Sequence, residues 1–424
     1  MRTLILSWEY PPVMVGGLGQ HVHALATSLA AAGHEVTVVS RHTEGAAFDE
    51  VREGVRIVRV PEDPPIFTFD EQTLLAWTMA LNHALTRAAL RVAEESPPDV
   101  VHAHDWLVAH AATTLKHQLG IPLVATVHAT EAGRHQGWLP GPLNRSIHSI
   151  EWWLTYEARR VITCSEYMRW EVTRLFDLPP DKCEPIPNGV DTGAWKPGSE
   201  AVAAVRAEYG GGPIVLFAGR LVYEKGVHNL LAAVPRLRRR HPGLKVVIAG
   251  DGPHLDELKA QAKRLRLGRS VAWAGFLAGE RLATVAAAAD CAVVPSIYEP
   301  FGMIALEAAA AGTPLAVADT GGLREIVTHG ITGLRFEAQD PAALADAVTS
   351  ILSDEVLARR LVRDARAVLA QKYAWTTIAE RTVGAYRRAV RDERRLRAEL
   401  ATAAPLRMTL RDGNLLAGLA ADGP

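Results

Sequence analysis

Short, almost wholly apolar runs recur along this chain, and most are followed by a segment of helical periodicity. TLILSW, VTVVS, VRIVRV, VVHAH, LVATVH and VITC end at Trp8, Ser40, Val60, His104, His128 and Cys164. Helical patterns fill roughly 18–33, 70–95, 106–119 and 142–158. A strand that is apolar on both faces has to be covered on both, and helical crossovers supply the cover, so the pattern predicts a parallel α/β sheet. The rhythm lapses over 187–212, where PNGVDTGAWKPGSE and GGGP gather turn formers with a short helical stretch between them. It then restarts with IVLFAG, KVVIAG, VAWAG, CAVVP and LAVA, interleaved with helices near 226–240, 254–266, 279–288 and 302–311. Residues 341–395 read as three further helices. The expected architecture is two doubly wound α/β domains, over 1–190 and 213–372, joined by a linker over 191–212 and followed by a tail over 396–424. A length of 424 residues accommodates two such domains.

Composition narrows the partners. With 46 Lys plus Arg against 47 Asp plus Glu, the net charge is −1, so no bulk field favours nucleic acid. No run of about 18 apolar residues is present to span a bilayer. MRTLILSWEYPP turns polar too early for a signal peptide and reads as a first strand. Cys164, Cys183 and Cys291 form neither a disulfide framework nor a CxxC pair, and the expected location is the cytoplasm. The arginines of 385–400 read as a solvated helix face rather than a membrane contact.

In doubly wound sheets, ligands sit beyond the carboxyl ends of the strands. At those ends stand Glu9, Asp105, His128 and the glycines of GGLG, Gly16 to Gly19. In the second half they are Gly219-Arg220, Gly250-Asp251-Gly252 and Ser296 to Glu299. A guanidinium and an ammonium, Arg220 and Lys225, suit a diphosphate, one as a fork and one as a point charge. In EPFGMIALE, two carboxylates lie eight residues apart, Glu299 and Glu307. On one helix they would be separated by about 12 Å of rise, so they serve opposite ends of an elongated ligand. Pro300 is expected in the first helical turn, which leaves the amides of Phe301, Gly302 and Met303 as unpaired donors. The histidines of VHAHDWLVAH lack zinc-ligand spacing, and the chain has no DxD sequence, so no metal is expected.

SWEYPPVMVGGLGQHV, HAHDWLVAH, TVHATEAGRH, GRLVYEKG, GDGP and EPFGMIALEA together resemble retaining glycosyltransferase family 4, over residues 1 to about 392. Within it, the opening and HAHDW lean toward bacterial glycogen synthases and the mycobacterial α-(1→4)-glucosyltransferases. The resemblance implies the GT-B fold, in which two Rossmann-like domains face a central cleft and the C-terminal helix, 376–395, completes the first domain. It implies transfer of glucose from ADP- or UDP-glucose, a co-substrate rather than a cofactor, to an α-glucan acceptor. It places Arg220 and Lys225 at the donor diphosphate, Glu299 at the transferred sugar, Glu307 at the ribose and His128 near the sugar's C6 hydroxyl. Gly17 would approach the diphosphate, with the amides after Glu299 on sugar hydroxyls and Glu9 and Asp105 on the acceptor side. One departure stands out. Where bacterial glycogen synthases carry a lysine two residues before the paired glycines, this chain has Met14, between Val13 and Val15, which throws more charge stabilisation onto Arg220 and Lys225. The same motifs fit a maltose-1-phosphate synthase, a small-acceptor glycosyltransferase or, more remotely, a nucleotide-sugar epimerase.

Overall fold

The computed structural model describes residues 1–14 and 16–402. Of the expected tail over 396–424, residues 403–424 lie outside the described residues. The first sheet contains β1 (Arg2–Ser7), β2 (Glu35–Arg41), β3 (Asp49–Arg52), β4 (Val55–Val60), β5 (Val100–His104), β6 (Leu123–Val127), β7 (Arg160–Thr163) and β8 (Cys183–Pro185). Their order is β3-β4-β2-β1-β5-β6-β7-β8. All neighbours are parallel except β3, which pairs antiparallel with β4. The second sheet, wholly parallel, contains β9 (Ile214–Ala218), β10 (Lys245–Ala249), β11 (Val271–Gly275), β12 (Cys291–Val294), β13 (Leu315–Ala318) and β14 (Leu334–Phe336). Their order is β11-β10-β9-β12-β13-β14. Each sheet reverses its winding at one crevice, between β1 and β5 in the first and between β9 and β12 in the second. Those crevices receive Glu9 and Asp105 on one side and Arg220 and Glu299 on the other.

The central strands are buried on both faces, which is why they read as continuous apolar runs rather than alternating ones. The expected linker holds its own helix, Ser199–Glu208, and its Val205 packs with Ile214, Leu216 and Val285 of the second domain. A helix Glu166–Phe176, unremarked in the sequence pattern, follows β7.

The last helix, Trp375–Thr402, runs beyond residue 395 and packs on the first domain. Ile378 and Tyr386 are fully buried, with Val22, Leu25 and Leu29 in the same cluster. Each such side chain contributes roughly 1.5–3 kcal/mol. The Tyr386 hydroxyl and His102 Nδ1 are 2.7 Å apart. Arg159 pairs with Glu393 at 2.8 Å, and Arg160 pairs with Asp392. Several of the late arginines are likewise paired, Arg388 with Glu184 and Arg397 with Glu393. The chain thus crosses between domains twice, and the crossings are tied where Val190 N donates to Tyr373 O at 2.9 Å.

Candidate active site

The second-domain wall is built by two loops. After β9 the chain makes a single 3-10 turn, Tyr223–Lys225, and enters the helix Val227–Arg240 through Gly226 at φ 67°. A Cβ at Gly226 would sit 1.9 Å from Pro295 O, so only glycine lets this turn approach the loop after β12. Ile297 N then donates to Glu224 O at 2.8 Å. This approach joins Lys225 to Glu299: Nζ donates to Oε2 at 2.7 Å, and Ser296 Oγ donates to the same oxygen at 2.9 Å. Lys225 is therefore engaged with a carboxylate and is not a solitary point charge.

The helix that carries Glu307 begins at Met303, not at Pro300. Gly302 has φ 113°, outside the helical region, which ends the run of helical dihedrals and leaves Glu299 to Phe301 as a loop. Phe301 points its ring into the core. Among the described residues, the N–H groups of Phe301, Gly302 and Met303 meet no acceptor in the protein. Glu307 is 8% exposed and has no hydrogen-bond partner among the described residues, and burial raises its pKa to about 7. Arg220 lies loosely beside Glu224 at 3.9 Å with about half of its side chain open, at 48%. Partial desolvation lowers its pKa, Arg134 pushes the same way, and Glu224, Glu299 and Glu9 oppose.

The first-domain wall faces this one. Glu9 Oε2 accepts from Gly16 N at 3.1 Å, so Glu9 anchors the glycine turn. A Cβ at Gly17 would lie 3.4 Å from Met303 Cγ, which brings the glycine turn against the start of the Glu307 helix. Asp105, expected to face the acceptor, accepts from His128 N at 2.7 Å through Oδ1. Its backbone has φ 60° and ψ 177°, a region costly for any residue with a Cβ. Burial raises its pKa to about 6, against the His128 hydrogen bond and Arg134. His128 is held in turn by His104, Nε2 to Nδ1 at 3.1 Å, and burial lowers its pKa to about 4, so it is neutral at pH 7. His21 packs edge-on to His128 at 4.7 Å between ring centroids. His21, His104 and His128 bring ligand-type nitrogens within 4.8 Å of one another, but His104 and His128 are bonded to each other.

Sequence reasoning missed the contacts that close the cleft. Ser165 Oγ donates to Pro300 O at 2.6 Å. Glu325 accepts from the N–H groups of Glu166 and Tyr167 at 3.0 and 2.9 Å. Glu171 Oε1 accepts from Tyr298 and Thr130 hydroxyls at 2.9 and 2.5 Å. Of these residues only Thr130, Tyr298 and Pro300 lie in motifs that the sequence singles out.

Cations, a buried carboxylate pair and open amides at one edge, opposed by a neutral histidine and a glycine turn, define a two-domain group-transfer enzyme for an anionic, hydroxyl-rich ligand. The chain belongs to the glycosyltransferases: residues 15–194 match Glycosyltransferase Family 4 and residues 199–368 match Glycosyl transferases group 1. It is 47% identical to a glycogen synthase of Mycobacterium tuberculosis, over 93% of this chain and 96% of that protein. It is 31% identical to an α-maltose-1-phosphate synthase of the same organism, over 92% and 99%. Among solved structures, sucrose-phosphate synthase from Thermosynechococcus elongatus superposes with a TM-score of 0.79 at 25% identity, covering 94% of this chain and 99% of that one. The fold is GT-B, and no helix among the described residues is long and apolar enough to cross a membrane.

Proposed function

We propose that the protein transfers glucose from a nucleotide diphosphate glucose to the non-reducing end of an α-(1→4)-glucan, with retention of anomeric configuration, in the cytoplasm. The observation that supports this reading is the approach of the glycine turn at Gly17, anchored by Glu9, to the Met303 end of the Glu307 helix, with Arg220 and the Lys225–Glu299 pair on the second-domain wall and His128 on the first. The 47% identity to a glycogen synthase, against 31% to a maltose-1-phosphate synthase, favours a glucan acceptor.

As the bond from the anomeric carbon to the phosphate oxygen breaks, charge grows on the leaving diphosphate. Arg220, the remaining Lys225 protons and the open amides stabilise it. The acceptor hydroxyl attacks on the same face, its oxygen bonds to the anomeric carbon, and its proton passes to the leaving phosphate. Asp105 and His104 fix His128 on the sugar side, and closure of the two domains assembles the set. Product analysis tests the reading, with ADP-glucose and UDP-glucose each offered to glycogen, maltooligosaccharide and glucose 1-phosphate. Elongated glucan is expected; a disaccharide phosphate or an epimerised donor as the only product would overturn it.

The charge on the diphosphate is met by protein cations, so activity is expected to persist within about two-fold in excess EDTA. Loss of turnover with the chelator, restored by a divalent ion, would refute the metal-free mechanism.

A further inference from the structure

Glu171, on the helix Glu166–Phe176 of the first domain, is 7% exposed, yet no Lys, Arg or His lies within ion-pair distance of it among the described residues. A buried carboxylate without a cation needs hydrogen-bond donors. Two hydroxyls donate to its Oε1, one from each domain: Thr130 at 2.5 Å and Tyr298 at 2.9 Å. Thr130 is fixed twice more. Its Oγ1 accepts from Gly133 N at 2.9 Å, and its own N–H reaches the Tyr298 oxygen at 3.5 Å. Glu171, Thr130 and Tyr298 thus close a ring of contacts across the domain boundary, with all three buried. A Cβ at Gly133 would collide with the Tyr298 hydroxyl and lie 2.6 Å from Glu171 Oε1, so only glycine there leaves room for the ring.

Both donors adjoin, in the chain, the residues that the transfer places on the sugar. Thr130 stands two residues after His128, and Tyr298 directly precedes Glu299. Consecutive Cα atoms are only about 3.8 Å apart, so holding Thr130 and Tyr298 constrains both turns. The helix that bears Glu171 is itself fastened to the second domain at its first turn. There Glu325 accepts from the N–H groups of Glu166 and Tyr167, and Ser165 Oγ donates to Pro300 O.

We propose that Glu171 is a positioning residue for the transfer: through Thr130 and Tyr298, one carboxylate oxygen sets the separation of His128 and Glu299 across the cleft. This rests on the roles given to those two residues above. A misplacement of about 1 Å at a reacting centre costs about 10²-fold in rate. The donor diphosphate is held elsewhere, by Arg220 and Lys225, so loss of the ring falls on kcat and not on donor affinity.

The test pairs turnover with binding in the full chain. Release of nucleoside diphosphate from ADP-glucose and UDP-glucose is followed with glycogen and with water as acceptor, and ADP and UDP are titrated by calorimetry into the same samples. Glu171→Ala is expected to lower kcat by about 10- to 100-fold, the usual weight of a hydrogen bond to a charged group, with nucleotide affinity within about three-fold of wild type. Glu171→Gln should recover most of the rate, because its amide oxygen still accepts from both hydroxyls. Tyr298→Phe keeps the ring and loses only the donor, so it tests the contact even where Glu171→Ala does not fold. It should lower kcat by about ten-fold, and the two changes combined should be little worse than Glu171→Ala alone. Folded Glu171→Ala or Tyr298→Phe with kcat within about two-fold of wild type overturns the proposal. So does a loss of nucleotide affinity that matches the loss of kcat, the mark of general damage to the fold. Wild type that releases nucleotide to water but elongates no glucan sinks the proposed acceptor and leaves the comparison of variants standing; wild type that turns over neither donor refutes both.

Discussion

Lys225→Ala is expected to lower kcat by about 10²–10³ while the protein stays folded, the size of loss typical when one preorganised electrostatic contact is removed. Two consequences of the single change add in the same direction. The ammonium that meets the growing charge of the diphosphate is gone, and Glu299 loses its 2.7 Å partner. Ser296 Oγ still donates to Glu299 at 2.9 Å. The cost in stability should therefore stay below the roughly 3–5 kcal/mol of a buried charge left wholly alone. Because Lys225 and Glu299 share one contact, Lys225→Ala combined with Glu299→Gln should be little worse than the poorer single variant. Steady-state kinetics at saturating donor and glucan, with thermal melts of the same samples, check this. Near wild-type kcat in folded Lys225→Ala would remove the residue from the mechanism.

The alternation of strand and helix, and the rule that ligands gather at the carboxyl ends of strands, were enough to place Glu9, Asp105, His128, Arg220 and Glu299 at two facing sheet edges. These are local signals: a continuous apolar run, a glycine turn, a charged residue just past a strand. What the sequence does not display is which charges meet. Lys225 and Glu299 are 74 residues apart, and Tyr298 and Glu171 are 127 apart, so no periodicity links them. Asp105 was legible as a cleft residue but not as the acceptor of the His128 amide, because that bond depends on the unusual backbone at φ 60°. The helix start was misplaced for a similar reason. Pro300 favours a first turn locally, but the positive φ of Gly302 delays the helix until Met303. The helix Ser199–Glu208 was legible only as a short helical stretch between turn formers, because its order comes from packing on the second domain.

Glu299→Gln and Glu307→Gln are expected to fail in different ways. Glu299 sits in the loop beside Lys225, where its hydrogen bonds strengthen as the anomeric carbon becomes positive, so its amide should mainly lower kcat. Glu307 stands on the second turn of its helix, and the ribose assigned to it is unchanged by reaction. Its amide should mainly raise donor KM, by about 10- to 100-fold for a lost charged hydrogen bond. The two also differ in stability. Burial raises the pKa of Glu307 from 4.5 to about 7, and no partner among the described residues opposes it. Between those values the fold holds the proton more tightly than the unfolded chain does, so stability falls as pH rises and levels off above about 7. Glutamine has no proton to lose. At pH 8, Glu307→Gln should be more stable than wild type by up to about 3 kcal/mol, and the gain should almost vanish near pH 4.5. Melting curves at pH 5 and 8, with donor-varied kinetics at saturating glucan, read both effects. A Glu307→Gln that is destabilised at pH 8 would refute the burial-raised pKa of Glu307, and one that loses kcat with KM unchanged while Glu299→Gln does the reverse would show that the two carboxylates are exchanged along the donor.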